Sequence, residues 1–129
     1  MSHYIANLRD IEFCLFDLLG REKVMGTDPY GEVDRDTAMG MLEEMKRLCE
    51  NDLAASFVEG DRIGTDFNKA TGDIKLPESF KKSYKAYVDG EWWRLDAPVE
   101  LGGMRIPASV RWAIAEMVLG SNPAIHIYA

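Results

Sequence analysis

The sequence predicts an all-α domain of about five helices joined by long loops, packed between an orthogonal array and a bundle. Three observations carry that reading. Apolar residues recur at i, i+4, i+7 and i+8 in four separate stretches, which is the spacing of one buried helix face. Glycine and proline punctuate the segments between them, and no stretch shows the strict alternation of a half-buried strand. A chain of 129 residues with 47% hydrophobic and 29% charged residues can bury a real core as one soluble domain.

Taken in order, residues 1–7 read as a loose lead-in. Leu8, Ile11, Leu15, Phe16 and Leu19 then mark a helix closed by Gly20. Phe13, Cys14 and Leu18 widen its apolar face, so the helix is expected to be buried on most sides or to pack on a partner. Gly26, Pro29 and Gly31 make the next stretch a turn-rich linker. Asp34 or Asp36 can cap a long helix from about Asp36 to about Glu59, with Met41, Leu42, Met45, Leu48, Cys49, Leu53, Phe57 and Val58 as its stripe. Glu43, Glu44, Lys46 and Arg47 lie off the stripe as its solvated face. Residues 60–73 read as a polar loop, with a hairpin tip near Asn68 to Gly72 whose flanks are too short to count as strands.

The chain is organised around the stretch from Leu76 to Pro123. Pro77 suits a first helical position, Phe80, Tyr84, Tyr87 and Val88 form one apolar stripe, and Gly90 fits a left-handed stop. Trp92, Trp93 and Leu95 follow, then an irregular loop held by Pro98, Gly102 and Gly103. A second helix starts at Pro107, carries Val110, Ile114, Met117 and Val118 on one face, and is expected to close at Gly120. Ser121 or Asn122 can cap a last helix that begins at Pro123. That helix has a start signal and no stop signal, so its apolar end IHIYA is expected to be covered by something, and the sequence reads as a piece of a longer protein.

Composition excludes several functions. A formal net charge of -7 does not suit a sequence-independent grip on nucleic-acid backbones. The sequence holds no Walker-type loop, no dinucleotide-binding glycine motif, no apolar run long enough to span a bilayer, and no secretory leader at its start; a cytoplasmic protein is expected. Cys14 and Cys49 stand alone and are expected as reduced, core-facing thiols rather than a disulfide or metal pair.

The run LPES, then SYKAYVDGEWWRLDAPVELGGMRIP, then WAIAEMVLGSNPA, resembles the N-terminal helical domain of the acyl-CoA dehydrogenase family. The matching residues are Gly90, Pro98, Gly102, Gly103, Glu116 and Gly120. The part before Leu76, with NLRDIEF, LFDLLG and SFVEGDR, is similar to the N-terminal extension of an actinobacterial-type subgroup with large members. The resemblance therefore divides the chain into an extension over 1–75 and the family's helical region over 76–129, without the middle β-domain and the C-terminal helical domain. Two departures leave the substrate open: Pro98 is followed by Val-Glu-Leu rather than two acidic residues and an aromatic, and Arg105 replaces a common glycine.

The resemblance implies α,β-dehydrogenation of an acyl-CoA thioester, with FAD as hydride acceptor, a carboxylate as base and an electron-transfer flavoprotein-type acceptor. It also implies a homodimer or tetramer and a role in fatty acid or lipid metabolism. It places the base and the flavin contacts outside this chain, which alone is expected to be inactive and to bind no FAD. Within the chain it implies part of the acyl-chain pocket: His126 and Ala129 facing the acyl tail, with Ile125 nearby. A stand-alone helical interaction module, and a small subunit completed by a separate flavin-bearing chain, are the alternative readings.

Other residues carry weaker signals. Glu116 lacks a partner for acid–base work and reads as an ion pair or cap. Trp92 and Trp93 read as plugs of the bundle rather than a stacking platform, and Met41, Met45 and Cys49 as core. Lys81, Lys82 and Lys85 read as a solvated face rather than a seat for a CoA phosphate, and Gly102-Gly103 is a weak phosphate signal.

Overall fold

The computed structural model describes residues 2–128. Five helical stretches make up the fold, as the sequence predicts. The first joins α1 (Leu8–Glu12) to a π-helical turn (Phe13–Leu18). The second joins α2 (Arg35–Leu48), a π-turn (Cys49–Leu53), a 3-10 turn (Ala54–Ser56) and α3 (Phe57–Ile63). Then come α4 (Glu78–Asp89), α5 (Ala108–Ser121) and α6 (Pro123–Tyr128). Among the described residues no helix is long and apolar enough to cross a membrane.

Helix α5 is the axis of the core. Val110, Ala113, Ile114, Ala115, Met117 and Val118 are all buried, so it is apolar nearly all round, as a central helix must be. It packs on α2, on the π-turn after α2 and on α6. The core it shares with Leu42, Met45, Cys49 and Leu53 runs from Ala6 to Ile125 without a break between the two halves of the chain. Truncating any of the fully buried Leu42, Met45 or Met117 to alanine is expected to cost about 2–5 kcal/mol.

Caps follow the sequence closely at α2, where the Asp34 carboxylate accepts from the Thr37 N–H at 2.8 Å. Pro77 and Pro107 sit one residue earlier than a first helical position, as extended caps before Glu78 and Ala108. Several expectations change. Residues 2–7 are not a loose lead-in but a strap: the Ala6 N–H donates to Glu50 Oε1 at 2.9 Å, the Lys46 ammonium reaches the Ala6 carbonyl at 3.5 Å, and His3 stacks on Phe57. Phe13, Cys14 and Leu18 are exposed. Ile11, Leu15 and Phe16 take the buried face as the spacing predicts, whereas Leu19, expected on the same stripe, is exposed where the π-turn has shifted the helix phase.

Helix α3 extends to Ile63, into what reads as loop, and a two-residue antiparallel ladder pairs Asp66 with Lys75 and Phe67 with Ile74. On α4 the buried residues are Phe80, Ser83 and Tyr87, while Tyr84 and Val88 flank the face and remain partly open. Gly90 has φ −76° and is no left-handed stop; Glu91 takes that conformation, with φ 56°. Gly90 is needed for a different reason, since a Cβ there would stand 2.8 Å from the Trp92 ring. Gly120 does not close α5, which runs on to Ser121. Trp92 is buried as a plug, whereas Trp93 is partly exposed beside Gly102.

Candidate functional site

The α5–α6 corner is built on Asn122. Its extended backbone (φ −160°, ψ 92°) ends α5 and turns the chain. Its carbonyl accepts from the Ile125 and His126 N–H groups, and its side-chain oxygen accepts from the Ile125 N–H at 3.4 Å, which starts α6. Pro123 occupies the first helical position, where a missing N–H costs nothing. The corner thereby sets two clefts on either side of α6.

The first cleft has a volume of about 300 Å³ and lies between α4, α5 and α6. His126 opens onto it together with Tyr87, Leu95, Val118 and Trp112. An ion pair between Arg111 and Asp96, both half-exposed, closes one side, and the guanidinium lies 5.3 Å from the centroid of the Trp112 ring. Burial pushes the Tyr87 phenol up to about 12, so it stays protonated as a donor throughout the physiological range. The wall is mixed: aliphatic and aromatic surface with one imidazole, one phenol and one ion pair.

The second cleft, of about 230 Å³, is apolar and lies between α3, α4 and α6. Phe57, Leu76, Phe80, Pro123, Ala124 and Tyr128 line it, with the Tyr128 ring edge-on to Phe80 at 5.9 Å. Ile125 faces neither cleft; it is fully buried in the core behind them. Ala129 lies outside the described residues.

The remaining candidates separate. Glu116 is exposed beside a groove between α1 and α5 and makes no ion pair among the described residues. Lys81 pairs with Glu78 and Lys85 with Asp89, so the basic face of α4 is partly neutralised along its own helix. The Gly102 and Gly103 N–H groups donate to Val99 and Pro98 carbonyls within their own turn, leaving no amide nest for a phosphate. Gly103 is required sterically, because a Cβ there would overlap the Ala97 carbonyl oxygen at 1.7 Å. Among the described residues no group of three His, Cys, Asp or Glu side chains converges as a metal site.

Asp96 and Arg111 were not legible as site residues in the sequence. They stand fifteen positions apart across an irregular loop, and no periodicity connects them.

No protein-family model matches the chain. Over all 129 of its residues it is 47% identical to the broad-specificity linear acyl-CoA dehydrogenase FadE5 of Mycobacterium tuberculosis, of which it covers 21%. It is also 36% identical over 115 residues, 89% of the chain, to the 3-methylmercaptopropionyl-CoA dehydrogenase of Ruegeria pomeroyi, of which it covers 19%. The chain thus spans about a fifth of the length of the curated relatives it matches, and both homologues are acyl-CoA dehydrogenases by name.

Proposed function

We propose that this chain is the N-terminal helical part of a flavin-dependent acyl-CoA dehydrogenase, in which it closes one side of the acyl-chain pocket. The observation that supports the reading most directly is the 47% identity along the entire chain to a dehydrogenase of linear acyl-CoA thioesters. In this reading residues 76–129 are the shared helical region and residues 1–75 an extension that shares its core. FAD, when bound by the complete enzyme, supplies the hydride acceptor for α,β-dehydrogenation; the residues that hold it and the carboxylate base lie outside this chain. An electron-transfer flavoprotein-type acceptor, a homo-oligomer and a cytoplasmic location belong to the same reading.

The task left to these residues is binding. In the family reading His126 and Ala129 belong to the wall around the acyl tail, and Ile125, beside His126 in the sequence, is a fully buried core residue. Each methylene removed from water against such a wall contributes about 0.8 kcal/mol. A wall that admits or rejects one methylene discriminates by roughly 10–200-fold. A small residue at Ala129 leaves depth for a longer chain.

The test is the full-length protein, purified and scanned for flavin absorbance near 450 nm, then assayed with straight-chain acyl-CoA thioesters of increasing length. A yellow, active enzyme whose preference moves to shorter chains on Ala129→Trp supports the reading. An active enzyme with an unchanged profile removes Ala129 from the pocket. A colourless, inactive full-length protein overturns the assignment.

A further inference from the structure

The helical rod that begins as α2 is interrupted where the π-turn Cys49–Leu53 gives way to the 3-10 turn Ala54–Ser56. Such changes of pitch break the regular hydrogen-bond ladder and release carbonyls that a straight helix would keep. Two consecutive ones are taken by side chains from other elements. Ser83 of α4 donates its hydroxyl to the Asp52 carbonyl at 2.6 Å. Asn122 donates its amide to the Leu53 carbonyl at 3.0 Å and to Ser56 Oγ at 3.0 Å. Of the four polar residues buried among the described residues, Ser56, Ser83 and Asn122 meet at this seam between α2, α4 and the α5–α6 corner, while Ser121 donates to the Val118 carbonyl of its own helix.

Asn122 thus faces two ways. Its side-chain oxygen starts α6, while its amide nitrogen fastens the start of α6 to the break in α2. Helix α6 spans Pro123–Tyr128, about 9 Å at 1.5 Å per residue, so a tilt of about 10° at Asn122 would move its far end by about 1.5 Å. That is about one carbon–carbon bond along an acyl chain.

We propose that Asn122 is a positioning residue: its amide, held by Leu53 and Ser56, sets the tilt of α6 and with it the acyl-chain length the pocket accepts. The consequence for chain length rests on the dehydrogenase reading above; the pin itself does not. A residue that merely stabilised the fold would affect every part of the molecule alike. A pin affects α6 selectively.

Two substitutions separate these roles. Asn122→Asp keeps the oxygen that starts α6 and replaces the donating nitrogen with an acceptor facing the Leu53 carbonyl. Ser56→Ala, the milder change, removes one of the two acceptors and keeps the chain folded if the aspartate does not. Amide hydrogen exchange by NMR on the 129-residue chain should show Ile125 to Tyr128 accelerated at least tenfold by Asn122→Asp and about threefold by Ser56→Ala, with Met117 and Val118 unchanged. Equal acceleration of α5 and α6, or none in α6, overturns the pin.

In the full-length enzyme Ser56→Ala should shift the chain-length optimum of kcat/KM rather than lower it evenly. An even loss across all lengths overturns the specificity role. A wild-type full-length protein without acyl-CoA dehydrogenation overturns the pocket assignment, and the exchange data then decide the pin by themselves.

Discussion

The ring of Tyr4 lies against the bare backbone of Gly120: a Cβ on residue 120 would come within 2.5 Å of the ring carbon Cε2. Glycine inside a helix is about 1 kcal/mol worse than alanine, so Gly120 in the last turns of α5 looks like a defect until its neighbour is considered. It makes room for the N-terminal strap. Gly120→Ala should destabilise the wild type by about 1–2 kcal/mol by displacing Tyr4. In a Tyr4→Ala background the same change should stabilise by about 0.5–1 kcal/mol, since only the helix preference is left. Urea melts of the four proteins give the coupling directly, and the same sign in both backgrounds would sink the explanation.

The two thiols should react very differently. Cys14 is exposed on the π-turn after α1. Cys49 is fully buried, and burial pushes its thiol up to about 11, with a hydrogen bond from the Ser121 side chain opposing the shift only in part. Iodoacetamide at pH 8 should add one label to the native chain, at Cys14, and the second only in denaturant. Rapid double labelling of the native protein, read by intact mass, would contradict the buried position of Cys49.

Helical spacing carried most of the architecture because each main helix buries one face in the single shared core around α5. Leu42, Met45, Val110, Ile114 and Met117 fall where the period puts them. It failed where the period itself changes. A π-turn is not signalled by composition, so Leu18 and Leu19 read as part of the apolar face although both are exposed beyond the change of pitch. Glycine was read as a conformational residue at 90 and 120, whereas both positions need it for space against an aromatic ring. At the site, Asn122 was legible as a cap because caps are local. Its hold on Leu53, 69 residues away, was not, because it depends on a carbonyl freed by a helix irregularity.

The left-handed residue after α4 is Glu91, with φ 56°. A side chain in that conformation costs about 1–2 kcal/mol relative to the right-handed region, less for asparagine and least for glycine. Glu91 recovers part of this through an exposed ion pair with Arg94, worth at most about 1 kcal/mol. Glu91→Asn should therefore stabilise the chain by roughly 0.5 kcal/mol. Glu91→Val should destabilise it by more than that, because a β-branched residue tolerates the conformation least. Equal stability of the Asn and Val variants in urea would show that the backbone there relaxes freely.

The Glu50 carboxylate ties the strap to α2, and its titration should be visible in stability. It accepts from the Lys46 ammonium and from the Ala6 N–H at 2.9 Å. The Lys46 side chain first, and the Ala6 N–H after the opposing effect of burial, hold its carboxyl below the usual 4.5. Folding therefore favours the ionised form, so the stabilisation is complete above about pH 5 and is lost as pH falls through the lowered value. Glu50→Gln keeps an acceptor for Ala6 but gives up the charge. Asp34 and Glu44, whose carboxyls are also lowered, by the Thr37 N–H and by Arg47, will make both proteins acid-sensitive, so the difference between them is the informative quantity. At pH 7 the wild type should exceed Glu50→Gln by about 1 kcal/mol, the usual net worth of such a bond. As the pH falls through the lowered value the two should converge, because the wild-type side chain then becomes protonated and neutral as well. A gap that never narrows along the acid limb of the stability curve would mean that Glu50 holds the strap as a neutral acceptor and that its charge contributes nothing.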